Sequence, residues 1–231
     1  MLAYALSFVA GYVDACTFLA LFGMFVAQVT GSFVTAGAAP VAPEAGLIIK
    51  TLAVPVFMIA GAAATILVSV TRRLGRSAWA WTLGLEILLL TAFLWIGVRY
   101  SPFRAPDQPA ALMAGLCALA AMGVQSASVR LLGQGMPSSN VMTTNTTQFA
   151  IDATHLLLPR FRASAAVTSV PDLETEKTRP RFAETARVMI GFFVGVALGA
   201  LAYRQFGFTG LAPAILVLLG LFVAALLRGV S

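Results

Sequence analysis

Apolar residues do not alternate along this chain. They come in runs long enough to cross a membrane, interrupted at two places by shorter polar stretches. The first run opens the chain as MLAYALSFVAGYVDACTFLALF. It has no basic residue ahead of it and Asp14 breaks its apolar core, so a retained membrane helix is expected rather than a cleaved signal peptide. It starts almost at Met1, and a start codon upstream of it stays open. Further runs occupy about Ala45 to Val70, Trp79 to Val98, Ala110 to Leu132, Arg187 to Tyr203 and Leu211 to Leu227. Each is close to the ~20 residues that cross a ~30 Å hydrocarbon layer. The pattern predicts an all-α fold, a polytopic transmembrane helix bundle of six long spans. Trp79, Trp81, Trp95, Tyr100 and Tyr203 stand at span ends, where aromatic anchors belong.

Two segments depart from that pattern. Met24 to Ala39 and Val141 to Leu158 are rich in Thr, Ser, Gln, Gly and Asn, and as helices would reach only about 24 to 27 Å. They are expected to be short, broken or re-entrant. Irregular backbone at membrane depth must then be covered by protein or line a wet cavity. With the N-terminus cytoplasmic and both segments re-entrant, Arg72, Arg73, Arg76, Arg160, Arg162, Lys177, Arg179, Arg181 and Arg228 all face inward. Only Lys50, Arg99, Arg104 and Arg204 then face outward, as the orientation rule prefers. The stretch 159–183, with Pro159, Pro171 and Pro180 among mixed charges, reads as a cytoplasmic linker within a single membrane domain, 1–231.

Composition sharpens the exclusions. Charged residues are 10% of the 231 and hydrophobic ones 59%, where a soluble domain carries roughly 25% charge. The mean hydropathy is +0.90. A disordered chain, a secreted disulfide scaffold and a conventional soluble enzyme are excluded. The net charge of +6 would suggest nucleic acid in a soluble protein, but here the cations mostly sit between apolar runs. Membrane lipid is therefore the expected partner, and nucleic acid is not. Cys16 and Cys117 lie in apolar stretches without metal or redox spacing, and His155 is the only histidine, so no metal site, disulfide or cofactor is expected. The chain lacks a phosphate-cradling loop and a nucleophile elbow, and no enzymatic activity is expected.

The segments fall into two halves of one plan, 1–104 and 105–231, each a long helix, a short polar segment and two long helices. Three crossings per half is an odd number, so the second half enters from the opposite side, the inverted repeat of many transporters. Gly11, Ala15, Leu19, Gly23 and Met24 match Gly123, Ala127, Leu131, Gly135 and Met136 at a constant offset, and after a one-residue insertion Thr30 aligns with Thr143. The run AGYVDACTFLALFGMFVAQVTGS, Ala10 to Ser32, resembles the N-terminal signature of the YoaK-like family of bacterial membrane proteins, a domain of unknown function. MGVQSASVRLLGQGMPSSNVMTTNTTQ, Met122 to Gln148, resembles that family's second signature. Ser32 departs from it, since Asn is more often expected there. The resemblance implies a small polytopic inner-membrane protein of bacteria and assigns no biochemical activity.

Candidate chemistry follows from the polar exceptions. Asp14 sits inside a membrane helix, where a carboxylate costs about 2.5 to 3.5 kcal/mol and needs a partner. It is either a cation, proton or solute site, or a structural cap for a neighbouring element. Glu86 is either a site group, or it snorkels to the interface or pairs with Arg72, Arg73 or Arg76, and Arg130 either neutralises Asp14 or marks the inner interface. Gln28, Thr30 and Ser32 in the first short segment, with Thr143 and Asn145 in the second and Gln125 and Ser126 just before it, are the expected substrate-binding set. Gly191, Gly195 and Gly199 carry the small-xxx-small spacing of tight helix packing. The leading expectation is a small transporter or channel for an ion or small polar solute, with its polar site where the two segments meet. The alternative is a non-transporting scaffold or regulator acting through the basic linker. A chain of six spans is expected to enclose a pathway as a homodimer.

Overall fold

The computed structural model describes residues 1–41, 45–162 and 173–227, and the described chain is helical without strands. The elements are α1 (Leu2–Ala20), α2 (Thr30–Ala38), α3 (Leu47–Arg73), α4 (Ala78–Tyr100), α5 (Pro109–Leu132), α6 (Met142–Arg162), α7 (Leu173–Phe206), a 3-10 turn (Gly207–Leu211) and α8 (Ala212–Leu227). A helix satisfies its own backbone, which is why apolar runs of this length fold so in lipid. Five stretches are long and apolar enough to cross a membrane: α1, α3, α4, α5 and Thr178–Leu227. The last contains most of α7, the 3-10 turn and α8, two apolar helices in one continuous stretch.

α1 and α5 run antiparallel. Gln125 of α5 donates to the Leu6 carbonyl near the start of α1, whereas Gly115 near the start of α5 faces Leu21 just past the end of α1. α1 runs parallel to α7, because Tyr4, Phe8 and Tyr12 present their carbonyls in turn to Gly191, Gly195 and Gly199. A Cβ at Gly199 would lie 2.6 Å from the Tyr12 carbonyl oxygen, so the small-residue spacing is a backbone-to-backbone seam. α3 and α5 form a second parallel seam: Gly115 faces Ile49, Gly123 faces Phe57 and Ala60, and Gly61 faces Ala127. α4 packs against α5, α3 and α8, antiparallel to α8, with Gly84 facing Phe222 and Gly97 facing Phe208 of the 3-10 turn. α2 packs on α3, and α6 packs on α7.

Three elements differ from the sequence pattern. The first short segment is helical only over Thr30–Ala38, because residues 21–29 form turns in which Phe22 (φ 56) and Gly23 (φ 81) adopt the left-handed region. α6 extends past the expected Leu158 to Arg162. α7 begins at Leu173, well ahead of its apolar run. The stretch 159–183 is therefore helical at both ends, with 163–172 outside the described residues. Glu, Lys and Arg are good helix formers, and Asp152 of α6 holds Arg181 of α7, with Nε to Oδ2 at 3.0 Å. Phe149 stacks on Phe182 beside this pair.

Candidate functional site

The polar residues gather at two places, each where a long helix of the α1–α5 pair gives way to irregular chain. At the first break Asp14, 3% exposed, turns inward from α1. Its Oδ1 accepts from the backbone amides of Val26 (2.7 Å) and Ala27 (2.9 Å). This carboxylate holds down amides that have left helical geometry and would otherwise be orphaned in a medium without water. Thr17, one turn on, spends its hydroxyl on the Asp14 carbonyl (3.0 Å).

The second break is more elaborate. Ser7 lies two turns before Asp14 on the same face of α1, about 10.5 Å along the axis. Its hydroxyl is 3.0 Å from the Ser139 carbonyl and 2.8 Å from that of Val188, so one proton ties α1 to the break and to α7. Gln125 Nε2 donates to Leu6 O at 2.9 Å, and Ser126 and Ser138 both donate to Asn140 Oδ1 (3.4 and 3.2 Å). Asn145 closes the turn by donating to the Ser138 carbonyl at 2.7 Å. Gln125, Ser139, Asn140 and Asn145 are all buried. Three of their atoms, Gln125 Oε1, Ser139 Oγ and Asn140 Nδ2, have no hydrogen-bond partner among the described residues. An unpaired buried polar atom is costly, so a cluster of them marks a place built to meet polar matter.

The expected substrate set is thus divided. Gln125, Ser126 and Asn145 come together around the second break, and Asp14 occupies the first. Gln28, Thr30 and Thr143 are not buried, while Ser32 is buried in α2. α2 and α6 make no contact with each other among the described residues. Each packs instead on the helix that follows it, α3 or α7. Arg130 is exposed at the end of α5 and forms no ion pair with Asp14. Glu86 is 1% exposed on the buried stripe of α4, and Oε1 has no partner among the described residues. Ser7 and Asn140 fall outside the expected set. A lone serine in an apolar helix is silent in sequence, although its seven-residue spacing from Asp14 places the two on one face.

These features define the class of the molecule: a polytopic helical membrane protein with two buried polar breaks. The chain belongs to the family described as protein of unknown function (DUF1275), whose model matches residues 2–224. No curated protein and no solved structure matches it.

Proposed function

We propose that this protein is a small transporter or channel for an ion or small polar solute in the bacterial cytoplasmic membrane. Its N-terminus is cytoplasmic, and its halves, 1–104 and 105–231, are inverted copies of three crossings each. Helix directions support this reading. α1 and α7 run one way and α3 and α5 the other, so α1 and α3 are consecutive crossings of opposite sense with α2 between them as a re-entrant segment. The same holds for α5 and α7 around α6, which makes six crossings when α8 returns antiparallel to α4. Exchange of the halves maps the α1–α7 seam onto the α5–α3 seam, and α2 on α3 onto α6 on α7. Matched glycines behave alike: Gly11 and Gly123 each abut a backbone carbonyl, of Phe192 and Phe57, and Gly23 and Gly135 both have positive φ (81 and 75).

The observation that carries transport is the second break, where three unpartnered buried polar atoms sit between antiparallel core helices. Donors and acceptors together suit a small polar solute or a hydrated ion. Reconstituted liposomes test it by comparing wild type with Asn140→Leu across a panel of ions and small polar metabolites. Wild-type flux above empty liposomes, reduced at least tenfold in the variant, is expected. Wild-type flux equal to empty liposomes across the panel sinks the reading. A homodimer belongs to the same reading and is checked by native mass spectrometry. The scaffold alternative draws on 159–183, partly outside the described residues, and no described contact favours it.

A further inference from the structure

Glu86 of α4 belongs to neither polar break, whereas Gln125 is the residue of the second break whose acceptor is left unpaired. Glu86 lies in the interior of α4, and among the described residues it forms no ion pair and its Oε1 no hydrogen bond. Gly84, two residues earlier, faces Phe222 of α8. At 100° per residue Glu86 points about 200° round the helix from that contact, away from α8 and into the bundle. Leu85 and Leu89, which bracket it, pack in one cluster with Val124 and Ala127 of α5. That register sets Glu86 level with Gln125, whose Nε2 is engaged by Leu6 and whose Oε1 is the second unpartnered acceptor. Two buried oxygens, one of them a carboxylate's, therefore stand at one level of a packed helix pair with no donor given to either.

The charges that could answer them are elsewhere. On α3 they are Lys50, Arg72 and Arg73, all near the helix ends. α5 carries Arg130 at its exposed end and the thiol Cys117, while the 3-10 turn and α8 carry no charged or titratable side chain. α1 contributes Asp14, of the same sign and already bonded to two amides. Among the described residues Glu86 thus has no counter-charge, and a buried carboxylate in that state is among the costliest arrangements a membrane protein can hold.

We infer that Glu86 and Gln125 together hold a single positive charge, either a small alkali cation or the ammonium group of an organic solute. One carboxylate with neutral oxygens matches one positive charge, and both kinds of ligand accept oxygen partners. This deepens the transport reading above by giving the solute, or the ion moving with it, a sign.

The test is binding to the detergent-purified full chain, read as the thermal unfolding midpoint. Sodium, potassium and methylammonium chlorides are compared with N-methylglucamine chloride at equal ionic strength. A saturable rise of several degrees with at least one small cation is expected. A response confined to sodium or potassium identifies an inorganic ion, and one confined to methylammonium identifies an organic ammonium group. Glu86→Gln, checked for fold by circular dichroism, abolishes the response. Gln125→Met, which keeps the acid, raises the half-saturating concentration at least tenfold and serves if Glu86→Gln does not fold. The rival state is a neutral Glu86 donating its own proton to Gln125. Identical midpoints in all four salts, or an undiminished response in Glu86→Gln, would establish it and overturn the inference. Binding here needs no gradient, so a bound cation without liposome flux sinks transport alone, and flux without any cation response sinks this proposal alone.

Discussion

At the scale of single residues, the membrane acids have different employments. Asp14 satisfies two backbone amides, so its removal acts first on stability. Asp14→Ala is expected to cost about 2–4 kcal/mol, from two lost charge-assisted bonds, whereas Asp14→Asn keeps a carbonyl oxygen and costs roughly 1 kcal/mol. Thermal melts in detergent separate these outcomes, and equal melts for wild type and Asp14→Ala would refute the capping role. Asp152 lies in α6, which is not one of the stretches long and apolar enough to cross a membrane. Hydrogen bonds from Arg181 hold its carboxyl below the usual carboxylate range against the opposing effect of burial, with Gln148 donating a further bond (2.8 Å). Because the folded value is lowered, the pair stabilises the docked α6 above the ordinary carboxylate value of about 3.9. That contribution is lost as pH falls below it and through the folded value. Melting midpoints should therefore be insensitive to this pair from pH 8 to 5 and fall under pH 4. In Arg181→Ala the midpoint is already lower by the equivalent of about 1–3 kcal/mol, a figure discounted because Arg181 is half-exposed, and the acid step shrinks. Asp14 and Glu86 were legible as exceptions in apolar helices. Their surroundings were not, because the partner of Asp14 is backbone that carries no side-chain signal, and the direction Glu86 faces depends on which helices α4 meets.

At the scale of elements, length and polarity located the long helices to within a few residues except at the start of α7, since a lipid-spanning helix leaves its mark on every position it covers. The irregular parts were harder. Residues 24–27 carry apolar side chains that continue the run before them, yet a left-handed turn at Phe22 and Gly23 takes them out of the helix. The start of α7 was obscured by proline and mixed charge, which mark linkers on average but not where Asp152 waits for Arg181. The glycine spacing in α7 was readable as a packing face, and the structure supplies its partner in α1. Gly195→Ala places a methyl against the Phe8 carbonyl and should destabilise by about 1–3 kcal/mol. Gly220→Ala, in α8 with open space around it, should be neutral or slightly stabilising. Melting both variants checks this, and equal effects would show that the seam does not bear on stability.

At the scale of the whole molecule, the alternation of crossings is open to a direct reading. Single cysteines at Val41, Leu74, Ala105 and Gln134, with Cys16 and Cys117 replaced by alanine, are probed in intact cells with an impermeant maleimide. Val41→Cys and Ala105→Cys should label from outside, and Leu74→Cys and Gln134→Cys only after lysis. Any other grouping contradicts six crossings with two re-entrant segments. The two seams also set an order of assembly. α3 and α5 lie close in the chain and can join while synthesis continues. α1 is made before both of them, but its partner α7 is made after them. At ordinary ribosome speeds it must wait roughly ten to thirty seconds, its glycine face and Ser7 hydroxyl meeting only lipid or a chaperone. The bundle thus closes from the α3–α5 seam outward, and arrival of the α7–α8 hairpin completes a seam that α1 has held open.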